Sequence, residues 1–353
     1  MKINPYDPCV FNKEVNGNQL TVTLHVDDLK ISHVDSFEVT KLIRYLEKIY
    51  GKVVVHRGKV HDYLGMDLDF SDEGYLQVGM FKYTDNLIDE FPEELGATAK
   101  TPASDNLFKV RDETEAKFLP EEQAVVFHSF TASLLFLSQR ARRDIQTAVS
   151  FLTTRVKRPD EDDWLKLRRV LRYLKGTRRL RLRLKIDNLD FITWLVDASH
   201  GVHRDMRGHT GAGLTLGEGA AITLCMKQKM NTRSSTETEI VGVHDALPTI
   251  LWSVHFLRAQ GFDVKHTILK QDNQSAILLE VNGRSSSSKR TKHIEQRFFY
   301  ITDQVEKGLV KIEHEYTDKM WIDVMTKPKQ GMAFRVDRSK VMGCPIDYTE
   351  ESI

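Results

Sequence analysis

The chain is short of the features that mark secreted or membrane proteins. It has three cysteines in 353 residues, Cys9, Cys225 and Cys344. They are far apart and without CxxC spacing, which argues against a disulfide framework or a cysteine-built zinc site and fits a reducing compartment. The N-terminus lacks a basic-then-apolar leader pattern, and no apolar run is expected to approach the length of a membrane span. An intracellular protein without a membrane partner is the expectation. Charge of one sign is lacking too: 51 Lys and Arg face 50 Asp and Glu, a net charge of +1. Bulk charge therefore designates no partner, and only its distribution can.

What is present reads as soluble and globular, with 41% hydrophobic and 29% charged residues and length enough for two or three domains. Residues 1–110 mix strand and helix patterns. "QLTVTLHVDDLKIS" follows the turn signal "VNGNQ" as a hairpin arm, and "SFEVTKLIRYLEKIYG" has helical spacing at Val39, Leu42, Ile43 and Leu46 before Gly51. "VVVHRGKVHDYLGMDLDFSDEGYLQVGM" reads as strands and "MFKYTDNLIDEF" as a helix, so the class is α+β. Residues 96–124 suit a connector, and residues 125–184 read as helices. The last of these, "PDEDDWLKLRRVLRYLKGT", has acids in its first turn and a glycine near its end. Strand runs return from about residue 186, followed by a long helical run expected to break at Pro248. The glycines of "GHTGAGLTLGEG" read as hairpin turns, and Trp164, Trp194 and Trp252 as core positions.

Two sets of carboxylates stand out. Asp27 and Asp28 interrupt an apolar β-type run, where burying them would cost several kcal/mol without a compensating metal or donors. Asp-Asp is equally ordinary turn chemistry, so both readings stand. In the second half Asp197, Glu239, Asp272 and Asp323 fall in a first strand, a first helix, at a strand end and at the start of a terminal helix. Taken singly, each reads as a cap or a surface charge. The ordered set matches what two-metal phosphodiester hydrolysis needs, and hard oxygen ligands suit Mg²⁺.

The motifs "WLVDASHG", "GHTGAGLTLGEG", "CMKQKMNTRSSTETEIVGV", "QDNQSAILL", "RTKHIEQRFFYITDQV" and "WIDVMTKP" resemble, in order, the ribonuclease H domain of Ty1/copia-type retrotransposon Pol polyproteins. Upstream, "YDPCVFNK", "LHVDDLKIS", "YLGMDLDF", "FHSFTASLLFLS", "DIQTAVSFL" and "WLKLRRVLRYLKGT" resemble the second half of the same polyproteins' reverse transcriptase. The resemblance implies a partial reverse-transcriptase palm over 1–110, a helical thumb or connection over 111–185, a ribonuclease H-like mixed-sheet domain over 186–330 and a tail over 331–353. It implies a nuclease cleaving the RNA strand of an RNA–DNA hybrid. Asp197, Glu239, Asp272 and Asp323 would ligate two Mg²⁺, with Mn²⁺ as the substitute ion. "STETEI" stands where the family shows Ser-Thr-Glu-Ala-Glu-Tyr, so Glu239 is the expected ligand and Glu237 the runner-up. His293 reads either as a helper at the site's rim or as a surface histidine near a helix start.

The family's catalytic hairpin is Tyr-x-Asp-Asp, and His25 replaces the tyrosine here. Asp27 and Asp28 are thus the expected remnant of a polymerase site. A third carboxylate upstream is needed, and Asp7 and Glu14 are the acids before Asp27. Neither matches the needed motif, so the chain is expected not to polymerise alone. Between Trp164 and Lys185 lie Arg168, Arg169, Arg172, Lys175, Arg178 and Arg179, among other cations. They read as sequence-independent phosphate contacts, or as a solvated face with snorkelling arginines. The expected partners are an RNA–DNA hybrid and the missing polymerase segment or other polyprotein products, in the cytoplasm within a particle or in the nucleus. The alternative is a catalytically silent retroelement remnant that at most binds nucleic acid. A palm without its central strands exposes apolar edges, so residues 1–110 expressed alone are expected to be poorly soluble. A soluble, cooperatively melting 1–110 fragment would contradict this.

Overall fold

A computed structural model describes residues 1–283 and 299–349. Four antiparallel strands open the chain: β1 (Lys2–Asn4), β2 (Asp7–Val15), β3 (Asn18–His25) and β4 (Asp28–Ser32), paired in sequence order. Asn16 and Gly17 join β2 to β3 with both φ angles positive, at 52° and 73°, the tight turn that Asn-Gly favours. Val26 and Asp27 close the next hairpin, where His25 pairs with Asp28. Val26 has φ 52°, a left-handed conformation that a β-branched residue rarely adopts. Helix α1 (Ser36–Tyr50) starts at the Asp35 cap and ends at Gly51, but buries none of its residues.

Strands β5 (Val60–Tyr63), β6 (Met66–Asp69) and β7 (Tyr75–Gly79) precede helix α2 (Phe81–Asp89). After the connector come α3 (Glu121–Arg140), α4 (Gln146–Thr153), α5 (Glu161–Lys175) and strand β8 (Leu182–Ile186). Helix α5 begins with a reciprocal cap between Asp160 and Asp163 and ends at Gly176. Strands β9 (Phe191–Ser199), β10 (His209–Thr215), β11 (Gly217–Glu218) and β12 (Ala220–Lys227) lead into α6 (Ser235–Ala259). Then come β13 (His266–Gln271), α7 (Gln274–Asn282), α8 (Tyr300–Glu306), β14 (Val310–His314) and α9 (Gly331–Met342). The second sheet has the order β11-β8-β7-β6-β5 and the third β12-β10-β9-β13-β14. In the third, β12, β10 and β9 run antiparallel, and β13 joins β9 and β14 in parallel.

Four sequence expectations need correction. Helix α6 runs unbroken through Pro248. Proline has no N–H to give the carbonyl of His244, and burial of Val243, Leu247, Ile250 and Val254 in the core against the third sheet holds the helix together. By length and composition α6 could also cross a bilayer, although half of its apolar window is buried in the protein. Gly211 and Gly213 lie inside β10 and not in turns. Trp252 is 37% exposed, its indole N–H donating to the Tyr6 carbonyl at 3.0 Å, while Trp164 and Trp194 are buried.

One large core unites β6, β7, the helices α2 to α5 and β8 with residues 320–325 and with Phe334, Val341 and Met342 of α9. The segment expected as a tail therefore carries a helix packed into the main core. The third sheet and α6 enclose a second core around Trp194, Val196, Leu247 and Leu269. A buried ion pair ties the helices of the first core. Arg142 donates from Nε and Nη2 to Asp144 at 3.0 and 2.8 Å, Nη1 donates to the Thr177 carbonyl at 2.9 Å, and Tyr173 donates its hydroxyl to Asp144 at 2.7 Å. Breaking such a pair strands a buried charge. Asp144→Asn is therefore expected to cost ~3–5 kcal/mol in urea unfolding. A loss below ~1 kcal/mol would show that solvent reaches the guanidinium.

Candidate metal centre

The third sheet brings chemistry together at one strand end. Asp197 is near the end of β9, and β13 runs parallel beside it with Lys270 level with Leu195. Asp272 leaves the end of β13 next to it. Helix α6 crosses β9 closely at Gly242, where a Cβ would lie 3.1 Å from that of Ala198. That approach sets Glu239, one turn earlier on the same face, over Asp197. Oxygens of Asp197, Glu239 and Asp272 all lie within 4.8 Å of one another. Asp197 is 2% and Glu239 5% exposed. Glu237 points elsewhere: it is half-buried and accepts the Arg233 N–H at 2.8 Å, bracing the helix start.

Burial and mutual repulsion dominate the electrostatics. Burial first, then Asp323 and Asp272, push the Asp197 carboxyl up to about 6 against the pull of Lys327 and Thr326. Burial, with Asp197 and Asp272, raises Glu239 well above the ordinary carboxylate range. Gln271 directs its amide N–H toward Glu239 at 3.5 Å, and Thr317 donates to Asp272 at 2.9 Å. Thr326 donates its hydroxyl to Asp197.

Asp323 lies in the 3₁₀ turn Trp321–Met325, outside the three-carboxylate group but joined to it through a lysine. Lys327 Nζ is 3.6 Å from Asp197 and 3.1 Å from Asp323, and Lys329 Nζ is 3.2 Å from Asp323 and 2.5 Å from Asp337. Burial lowers the Lys327 ammonium's pKa, but Asp197 and Asp323 outweigh it and the net direction is up. This turn lies flat on β10 because Gly211 and Gly213 have no side chain. A Cβ on Gly211 would come within 2.7 Å of Thr326 Cγ2, and one on Gly213 within 2.8 Å of Ile322 Cδ1. The chain also anchors Met325 through a buried relay. Cys225 Sγ donates to the Met325 carbonyl at 3.1 Å, His209 Nε2 meets Cys225 at 3.2 Å, and His203 Nε2 meets His209 Nδ1 at 3.0 Å. Burial pushes His203 down to about 4 and His209 to about 3, so both are neutral at pH 7.

The donor set is all oxygen, which fits a hard divalent cation. Lys327 already holds one positive charge between two of the carboxylates. Thr326, Lys327, Lys329 and Gln271 escaped sequence reasoning. The signal available for the first three was the "TKPK" that begins three residues after Asp323, and Gln271 directly precedes Asp272.

The other expected residues fare differently. Asp27 and Asp28 are exposed in the hairpin turn, and among the described residues no third carboxylate joins them. The cations of α5 and β8 are largely spent inside the chain. Arg168 contacts the Glu94 carbonyl and Glu93, Arg172 the Ala97 carbonyl and Lys175 the Gly96 carbonyl. Arg169 meets Thr101, and Arg178 and Arg179 pair with Asp85. The cations of α5 staple the connector to that helix, and Arg178 and Arg179 tie the turn after it to α2. His293 and the basic stretch around it lie outside the described residues.

No family model matches the chain. It is 27% identical over 326 residues to the retrovirus-related Pol polyprotein from transposon TNT 1-94 of Nicotiana tabacum, covering 91% of this chain and 24% of that protein. The corresponding polyprotein from transposon RE2 of Arabidopsis thaliana is 27% identical over 332 residues, covering 93% and 22%. The Ty1-NL2 Gag-Pol polyprotein of Saccharomyces cerevisiae is 22% identical over 350 residues, covering 94% and 19%. The chain thus spans about a quarter or less of the length of these relatives, which are retrotransposon Pol polyproteins of the Ty1/copia type. Among solved structures, prototype foamy virus protease-reverse transcriptase overlaps with TM-score 0.29 and 14% identity, covering 88% of this chain and 37% of that one. The ribonuclease H1 LC11 overlaps with TM-score 0.28 and 15% identity, covering 38% and 92%.

A carboxyl raised on folding adds stability at low pH that is lost as pH rises through its folded pKa. For Asp197 the gap from 3.8 to about 6 corresponds to on the order of 3 kcal/mol at neutral pH. In chelator, the wild type is expected to lose thermal stability from about pH 4 to pH 7 relative to Asp197→Asn, and millimolar Mg²⁺ to restore it in the wild type alone. Parallel pH curves for the two proteins would contradict this.

Proposed function

We propose that this chain, similar over most of its length to Ty1/copia-type Pol polyproteins, is a metal-dependent ribonuclease that cleaves the RNA strand of RNA–DNA hybrids. The observation that carries the reading is the convergence of Asp197, Glu239 and Asp272, from a strand, a helix and a strand end, with oxygens within 4.8 Å of one another. Two nearly buried carboxylates at such range repel each other, and in a dry site that repulsion is costly unless a cation answers it.

Asp197, Glu239 and Asp272 would hold Mg²⁺, with Mn²⁺ as the substitute and Asp323 completing the set. Bound there, such ions would supply activation of water and stabilisation of the leaving oxygen of a phosphodiester. The chain's own groups prepare the site. Thr326 fixes one oxygen of Asp197 by hydrogen bond, and Gln271 orients Glu239. Burial and the neighbouring Asp197 and Asp272 raise the Glu239 carboxyl, and a cation held there would pull it back down. Lys327, whose side chain is 44% exposed, can turn toward solvent when a cation takes its place, leaving its ammonium near an incoming phosphate. The Asp27–Asp28 turn has no catalytic part in this reading. The retroelement context implies association with other polyprotein products, and no membrane.

The test is cleavage of a hybrid labelled on its RNA strand, with Mg²⁺ and with chelator. Wild type is expected to cleave only with metal, and Asp197→Asn to lose ~10²-fold or more in rate. A folded, hybrid-binding wild type that leaves the RNA intact would overturn the reading in favour of a catalytically silent remnant.

A further inference from the structure

Most cations near α5 meet an acid, but four converge on one concavity and form no ion pair among the described residues. A cleft of about 380 Å³ is lined by Lys100, Arg169, Arg172 and Arg335, with Thr98 and the start of α9 at Gly331. Arg181, Arg183, Arg178 and Arg179 nearby all reach carboxylates. The cleft's four form no ion pair among the described residues. Arg169 and Arg172 are half-buried and bond only neutral oxygens of Thr101 and Ala97, while Lys100 and Arg335 are exposed. Burial first, then the neighbouring Arg172, pull the Arg169 guanidinium's pKa down, with Asp105 opposing weakly. Four uncompensated cations in one hollow repel one another and lower stability unless an anion enters. Helix α9 adds the positive end of its dipole, because Gln330 at its cap makes no side-chain bond to the first turn.

The segment after Asp323 links the carboxylate site to the cleft, with Lys329 on Asp323 at 3.2 Å and the next residue, Gln330, lining the cleft. The chain passes from Asp323 through Lys327 and Lys329 to Gln330, whose side chain accepts from Thr101 at 2.8 Å and donates to the Ala103 carbonyl at 2.8 Å. Eight residues from Asp323 to Gly331 reach at most ~29 Å. A strand with one charge per ~3.4 Å along its axis has a phosphate at any such distance.

We propose that the Lys100–Arg169–Arg172–Arg335 cleft is a phosphate subsite that grips the backbone of a nucleic-acid strand lying across the carboxylate site. It acts away from the reacting bond and contributes affinity and register without reading sequence. The inference rests on the nuclease reading only for the identity of the strand, and its test does not depend on cleavage.

The test uses the full chain in chelator, with binding of a fluorescein-labelled RNA–DNA hybrid followed by anisotropy across a salt series. Lys100 and Arg335 are exposed and free of partners among the described residues, so Lys100→Gln/Arg335→Gln is expected to fold as wild type does. It is expected to weaken hybrid binding ~10-fold at low salt and to reduce the slope of log K against log salt by about 2. A control pair on the first half, Lys48→Gln/Lys52→Gln, makes the same change in net charge and is expected to leave both quantities near wild type. Equal effects of the two double variants, or no effect of either, would overturn the subsite. Inorganic phosphate is titrated against wild type and the cleft variant as a second arm. If phosphate protects wild type alone from thermal unfolding while hybrid binding is indifferent to the cleft, the assignment to a nucleic-acid strand is overturned. A protein that binds hybrid through the cleft but never cleaves it keeps this inference and loses the nuclease.

Discussion

Mutual repulsion among Asp197, Glu239 and Asp272 is the constraint around which the second half of this chain is organised. Charges at such range and burial are held only by the surrounding fold. The parallel pairing of β13 with β9 fixes two of them, and the close approach of α6 at Gly242 fixes the third. Asp197 and Glu239, both buried, cannot separate without unpicking a sheet or a helix–sheet contact, while half-buried Asp272 is held at the strand end by Thr317. On the proposed reading a divalent cation would relieve that repulsion on binding, which would make cation affinity and apo-state instability two faces of one arrangement.

The C-terminal turn carries the compensating charges and belongs to two cores at once. Ile322, Val324 and Met325 pack with the helices of the first core, while Gly211 and Gly213 let the same turn rest on β10 of the third sheet. The neutral His203–His209–Cys225 relay grips Met325 from below. Small shifts between the helical core and the third sheet would therefore move Lys327 and Asp323 relative to Asp197. This ties the stability of the helical region to the geometry of the site.

Much of this was legible in the residues. Asn16-Gly17 flanked by alternating apolar residues announces its hairpin, and Asp160 and Gly176 bracket α5 as capping physics expects. Asp197, Glu239, Asp272 and Asp323 stand out by their order along strand, helix, strand end and terminal segment; the structure brings the first three together and sets Asp323 behind Lys327. What stayed hidden depends on distant contacts. Nothing local says that Arg168, Arg172 and Lys175 bond the carbonyls of residues 94–97, because charge density does not reveal its partners. Gly211 and Gly213 looked like turn residues because the segment that presses on them lies more than a hundred residues later. Pro248 is tolerated because side-chain burial outweighs one missing backbone bond.

The most direct measurement of the central claim is anomalous scattering from crystals of the full chain soaked in Mn²⁺. The account predicts a strong peak between the carboxylates of Asp197, Glu239 and Asp272, with Lys327 displaced toward solvent and the peak absent in Asp197→Asn. Ordered carboxylates with no peak between them, and Lys327 still seated against Asp197 and Asp323, would contradict it.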